Sequence, residues 1–352
     1  MKSRAKNCLT AGKTPNKMKK LGAKIVVIGG GTGSFVVLSG LRNYANNINA
    51  LVSMADDGGS TGQLRDEYGA LPPCDVRQCL VALSGSPRVR ELFNYRFEGG
   101  SFGGHSFGNL FLTATEQMSG DFAKGVDLAE KVLRVDGHVV PITMDKITIN
   151  LDDSRKILRH EREIDGVKFA KLRPKIWLTK ANGSRKVSAN SEATDAILAA
   201  DIVVIAPGDL YKSIGPALAV PGIGAALAKT SAKKVYIANL VNKPGQEDDF
   251  SVMDYCEEIE RLAGTKFLDH VIYNVNQPSA ELLERYAKQG ELPVKIDIDV
   301  LKNGRYSSTG AKLLAGEIWQ NPNKKDPIAA QRTLIRHDSD AVARAVMKIY
   351  FS

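Results

Sequence analysis

Gly29-Gly30-Gly31-Thr32-Gly33-Ser34 places four glycines in five consecutive positions, and the chemistry such a run performs is anion binding. Without Cβ atoms, backbone N–H groups can close on a phosphate, and a helix that follows points its positive end at the same place. Position 34 is serine, so the spacing falls short of a full G-x-G-x-x-G. No Lys-Ser/Thr pair follows either, which excludes a Walker loop. A tight turn whose glycines serve packing alone is the plainer alternative, but the density of glycine after a buried strand favours phosphate.

A second cluster lies downstream. Asp56 and Asp57 precede Gly58-Gly59-Ser60-Thr61-Gly62, with Arg65 close behind. The glycines read as a second anion loop that Arg65 assists, and the acids as tentative Mg²⁺ ligands, since Mg²⁺ takes carboxylates together with substrate phosphates. Neighbours on an extended strand face opposite ways, which argues against both acids holding one ion. Asp in a turn also bonds its own backbone, and that is the competing explanation.

Three further groups could join them. Asp75 stands where it could cap a helix, whereas Arg77 in the first turn opposes the helix dipole and suits an anionic partner. His105 and Asn109 are four apart and share a face if both are helical. Pro207-Gly208-Asp209-Leu210-Tyr211-Lys212-Ser213 repeats the strand-turn-helix logic, with Pro207, Gly208 and Ser213 as phosphate candidates. His138, His160 and His270 lack organised neighbours and read as structural.

These loops need elements to hold them. Lys24–Ile28 is a continuous apolar strand suited to burial on both faces, and Phe35, Leu38, Leu41 and Tyr44 recur at helical spacing. A second strand is expected from Ile48 to Ala55, with helical patterns through the next eighty residues. Over about 138–190 the pattern turns alternating, as an antiparallel insertion would. Strand–helix alternation resumes at Asp201–Ala206, with strands expected at 235–240 and 270–275 and helices at about 251–263, 279–288 and from 339. The expected fold is α/β: a doubly wound, mostly parallel Rossmann-like sheet with helices on both faces and a small antiparallel insertion. In such sheets ligands lie off the carboxyl ends of the strands, so loops 29–34, 56–62 and 207–213 converge on one cleft.

Composition narrows the class. The 352 residues carry a net charge of +9, but Lys2, Arg4, Lys6, Lys13, Lys17, Lys19 and Lys20 account for seven of those charges, leaving +2 elsewhere. Residues 1–22 read as a disordered basic tail and 23–352 as one α/β domain. No specific nucleic-acid partner is expected. Nor is a membrane span, because no apolar run nears the roughly 18 residues required. Cys8, Cys74, Cys79 and Cys256 form no CxxC pair, so free thiols, a reducing compartment and a cytoplasmic location without secretory signal are expected.

The ordered set GGGTGS, ADDGGSTGQLRDEYGALPPCDVRQCLVAL, GHSFGNLFL, ADIVVIAPGDLYKSIGPALAVPGI and NLVNKPGQEDDFS resembles the YvcK-like gluconeogenesis factor family. That family is related to CofD, the 2-phospho-L-lactate transferase of coenzyme F420 synthesis. The resemblance runs from about residue 24 to the C-terminus and is weakest over 150–190. It implies binding of UDP-sugars such as UDP-N-acetylglucosamine, with a role in cell shape on gluconeogenic carbon sources. The transferase branch implies Mg²⁺ and an acid in the second-strand loop, corresponding best to Asp57. LLERYAKQGELPVKID and LIRHDS imply Tyr286 and Arg336 as sugar-diphosphate contacts. Cys74, Gln78 and Asp209 depart from the usual pattern.

The leading expectation is a nucleotide-sugar-binding regulatory protein, because no side-chain constellation resembles an activated nucleophile. The alternative is a Mg²⁺-dependent transferase acting on a nucleoside-diphosphate-linked substrate, with Asp57 catalytic. An NAD-dependent oxidoreductase using Asp56 is the third class, disfavoured by the missing final glycine. No organic cofactor is expected. Homo-oligomers and cell-wall or regulatory protein partners stay open.

Overall fold

Ile25-Val26-Val27-Ile28 forms the middle of β1 (Leu21–Gly29) and is buried on both faces, as a central parallel strand requires. The computed structural model describes residues 20–316 and 335–352. From β1 the chain steps outward through β2 (Ala45–Val52) to β3 (His138–Pro141), then makes a separate antiparallel sheet from β4 (Ile147–Asp152), β5 (Ile157–Arg159) and β6 (Lys175–Lys180). It returns to the other side of β1 with β7 (Ile202–Ile205), β8 (Lys233–Ile237), β9 (His270–Asn274) and β10 (Ser307–Ala311).

Among the described residues the large sheet has seven strands, ordered β10-β9-β8-β7-β1-β2-β3, and every pairing in it is parallel. Parallel neighbours need crossovers, and right-handed crossovers running in opposite directions from β1 place helices on both faces. Helix Gly31–Leu41 packs on helices Pro73–Leu83 and Ser339–Phe351, while helix Ile223–Lys229 packs with Ser191–Leu198. The strand order reverses at β1, so the crevice beyond its carboxyl end is the place where such sheets bind ligands.

Several boundaries differ from those read in the sequence. The tail expected over 1–22 lies outside the described residues as far as position 19, but Leu21 already pairs with Ala45 in the sheet. The insertion expected from 138 starts later. Val139 and Val140 are buried, and β3 pairs with β2 from Asn49↔His138 to Val52↔Pro141, so the antiparallel sheet begins only at Ile147. The second strand stops at Val52 because its pairing with β1 ends at Gly29↔Val52, which leaves residues 53–58 as a loop free to curl. Cys74, Cys79 and Cys256 are free. No helix among the described residues is long and apolar enough to cross a membrane.

Candidate functional site

Beyond the carboxyl ends of β1, β2, β7 and β8 lies a cavity of about 710 Å³, in the size range of small-molecule sites. The first loop contributes Gly30, Gly31, Thr32 and Gly33. Gly30 is the N-cap of helix Gly31–Leu41, with no capping side-chain bond and no acid in the first turn. Its lack of a Cβ lets the Asp75 carboxylate lie against it, and at Gly33 the missing Cβ admits the Pro207 carbonyl. Either added methyl would overlap those atoms. Gly29 and Ser34 do not line the cavity. Ser34 is buried under the turn, with its Oγ lacking a hydrogen-bond partner among the described residues.

The second loop brings Asp56, Gly58, Gly59, Ser60 and Thr61 to the same cavity. Gly58 starts helix Gly59–Tyr68, again without a capping side chain, and donates its N–H to Asp56 Oδ1 at 2.9 Å. His105 precedes the helix that Asn109 belongs to, so the two do not share a helical face as expected. They meet instead on one atom: Ser60 Oγ lies 2.8 Å from His105 Nδ1 and accepts from Asn109 Nδ2 at 3.4 Å.

The third loop supplies Pro207, Gly208, Asp209, Lys212 and Ser213. Asp209, an addition of negative charge in the sequence, caps the turn by accepting from Tyr211 N and Lys212 N. Asn239 pairs reciprocally with Gly208 through N–H and carbonyl. Lys243 Nζ reaches Asp209 at 2.7 Å and Asp165 at 3.1 Å, and Lys212 Nζ reaches Asp165 at 2.7 Å. Arg96, Arg336 and His337 also line the cavity. Burial holds the His337 imidazole down at about 4, so it is neutral near pH 7.

Acids crowd one side of this cavity. The Asp75 carboxyl is pushed up to about 7 by burial and by neighbouring Asp56. Glu161 is pushed to about 9 by burial and then by Asp56, with Lys212 opposing. Glu247 rises to about 7 through burial and Asp209. Buried carboxylates that repel one another hold protons or a cation. Atoms of Asp56, Cys74 and Asp75 lie within 4.8 Å of one another. Two carboxylates facing a would-be phosphate fit Mg²⁺, whereas the Cys74 thiol, raised by burial, is too soft a donor for it.

The pairing of acids therefore differs from the sequence expectation. Asp57, the acid that the resemblance favoured for catalysis and metal, does not line the cavity. Its Oδ1 accepts from Glu161 N at 3.0 Å and Arg162 N at 3.4 Å, and its Oδ2 meets His160 Nδ1 at 2.6 Å. Asp75 takes the place beside Asp56. Arg65 does not line the cavity, and its guanidinium donates to the carbonyls of Asp56 and Ile147. Arg77 is buried and bonds Asn109 and Asn94. Tyr286 is buried too: its hydroxyl accepts from Ile335 N at 2.8 Å and so holds the segment carrying Arg336. Glu161, Lys243, Asn239 and Arg96 were not singled out from the sequence, and His160 was read as merely structural. Glu161 and His160 come from the stretch where the resemblance is weakest, so no local signal marked them.

Known proteins are similar to this chain along most of its length. A family profile described as 2-phospho-L-lactate transferase CofD matches residues 25–314. The gluconeogenesis factor of Bacillus subtilis strain 168 is 34% identical over 329 residues, covering 93% of this chain and 98% of that one. The gluconeogenesis factor of Halalkalibacterium halodurans is 35% identical over 334 residues, covering 94% and 97%. A crystal structure of a UPF0052-family protein from Bacillus halodurans superposes with a TM-score of 0.82 at 34% identity, covering 92% of this chain and 99% of that one.

Proposed function

Since this chain belongs to the CofD-like family of gluconeogenesis factors, we propose that it is a regulatory protein that binds a nucleoside-diphosphate sugar, of the UDP-N-acetylglucosamine class, and so ties carbon supply to cell shape. The observation that carries this reading is the convergence of two helix starts, at Gly30 and Gly58, on one cleft with no capping side chains of their own. Amide donors at the positive ends of two helices suit a diphosphate, although the Gly58 amide now meets Asp56 and the Gly31 amide meets Asp75. Lys212, Lys243 and Arg336 add cationic charge, and the neighbouring acids provide room for Mg²⁺ between Asp56 and Asp75. Bound there, the ion would neutralise part of the diphosphate charge. Ser60 lines the cleft with its Oγ 2.8 Å from His105 Nδ1 and accepts from Asn109 Nδ2 at 3.4 Å, so one serine does stand beside a base, contrary to the expectation that no such pair exists.

Thermal denaturation with UDP-N-acetylglucosamine, UDP-glucose, GDP and NAD, each with and without Mg²⁺, tests it. A ligand that binds only the folded state raises the melting temperature by mass action. UDP-sugars with Mg²⁺ should give the largest rise. No rise with any nucleoside diphosphate would refute the reading.

The acid pair favours one second reading, a Mg²⁺-dependent transferase acting on a nucleoside-diphosphate-linked substrate. There Asp56 and Asp75, rather than Asp57, would hold the ion. It requires Asp56→Asn to abolish turnover; metal-independent turnover, or none with any donor and acceptor pair, would exclude it.

A further inference from the structure

Asp57 stands next to the cleft without facing it, and both of its carboxylate oxygens are engaged with a different part of the fold. It is buried. Its partners are three consecutive residues at the end of β5: the Glu161 and Arg162 amides on Oδ1 and the His160 ring on Oδ2. His160 itself sits at φ +70°, a left-handed conformation that side chains disfavour and that persists only when the surroundings enforce it. The turn it creates sends the Glu161 side chain into the cleft, where it lies 3.4 Å from Lys212. A second tie runs in parallel: Arg65 bridges the carbonyls of Asp56 and Ile147, linking the same loop to β4.

We propose that Asp57 is a positioning residue that clamps the His160–Arg162 turn, and that Glu161, so placed, determines specificity by bonding the hydroxyl-bearing sugar half of the ligand. The proposal rests on the reading of the cleft as a nucleoside-diphosphate-sugar site. Glu161 is assigned to the sugar because a carboxyl group accepts from sugar hydroxyls whether or not it holds its proton. The amides that would take the phosphates lie on the parallel-sheet loops. The antiparallel sheet thus supplies the discriminating contact, and Asp57 connects the two.

The experiment compares dissociation constants for UDP-N-acetylglucosamine and for UDP, both with Mg²⁺, in the wild type and in Glu161→Ala, Asp57→Ala, Asp57→Asn and the double alanine variant. The wild type should prefer the sugar nucleotide by up to about tenfold, the worth of one hydrogen bond. Glu161→Ala and Asp57→Ala should each nearly erase that preference, and the double variant should erase no more, because residues acting through one another are not additive. Asp57→Asn keeps an oxygen for the two amides and should restore most of the preference, which a cation ligand would not do. An undiminished preference in Asp57→Ala, or additive losses, would overturn the inference. Should Asp57→Ala fail to fold, Glu161→Ala with Asp57→Asn decides: loss in the first and retention in the second supports the clamp, and any other pattern overturns it. Binding of neither nucleotide by the wild type refutes the underlying site reading, whereas equal binding of both overturns only the role given to Glu161.

Discussion

The two sheets supply the cleft in different currencies of chemistry. The parallel sheet delivers backbone: amides at Gly30–Gly33 and Gly58–Ser60, fixed by where β1 and β2 end and their helices begin. The antiparallel sheet delivers a side chain, Glu161, held at a distance of 104 residues in sequence by Asp57. Backbone cradles depend on local conformation and leave a glycine signature, whereas side-chain delivery depends on long-range contacts and leaves none. The contrast predicts that damage to the first region abolishes binding outright, while damage to the second alters its selectivity.

The largest effect is expected at Gly33. Gly33→Val would drive a branched side chain into the Pro207 carbonyl, separating the first and third loops. It should abolish nucleotide binding and cost roughly 3 kcal/mol or more of stability, as overpacking against backbone does. Calorimetric titration and urea denaturation check this; retained binding would mean that the loops need not touch.

Next come the acids. Asp56→Asn should remove the Mg²⁺-dependent part of nucleotide affinity, lowering it about tenfold or more, while binding without Mg²⁺ improves as a negative charge disappears. Titration with and without the ion distinguishes this from a general loss.

A pH effect of the same origin follows. Asp75 moves from the ordinary 3.8 to about 7 on folding and Glu161 from 4.5 to about 9. The folded state therefore binds more protons than the unfolded state between those values, and stability falls as pH rises through the interval. The ligand-free protein should melt at progressively lower temperature from about pH 5 to pH 9, as those pKa values set the window. Asp75→Asn should flatten the lower part of the slope. A melting temperature that rises with pH there would contradict the crowding of acids in the cleft.

The smallest effect is expected at Tyr286. Tyr286→Phe removes the acceptor for the Ile335 amide and should cost about 1 kcal/mol of stability, with a modest loss of affinity through the Arg336 segment. A complete loss of binding with unchanged stability would restore Tyr286 as a direct ligand contact.

What could be read from the chain alone follows the same division. The apolar run at 25–28, the glycine turn behind it and the helical spacing beyond fixed β1, its loop and its helix, because each depends on neighbours in sequence. The convergence of three loops followed from the parallel topology. The acids were a harder matter. Asp56 and Asp57 do point apart, but they lie in the loop after β2 and not on the strand whose alternation was expected to separate them. Which one faces the cleft depends on the chain's exit from β2 at Val52 and on His160, a hundred residues away. Arg65 and Arg77 looked like anion ligands by charge and position. Each is taken up by carbonyl or amide oxygens that only the folded chain brings near.

The central claim is tested most directly by a crystal structure of the protein with UDP-N-acetylglucosamine and Mn²⁺, using anomalous scattering to locate the ion. The account predicts the metal between Asp56 and Asp75, with the diphosphate resting on the amides of Gly30–Gly33. Metal bound at Asp57, or the nucleotide seated outside this cleft, would contradict it.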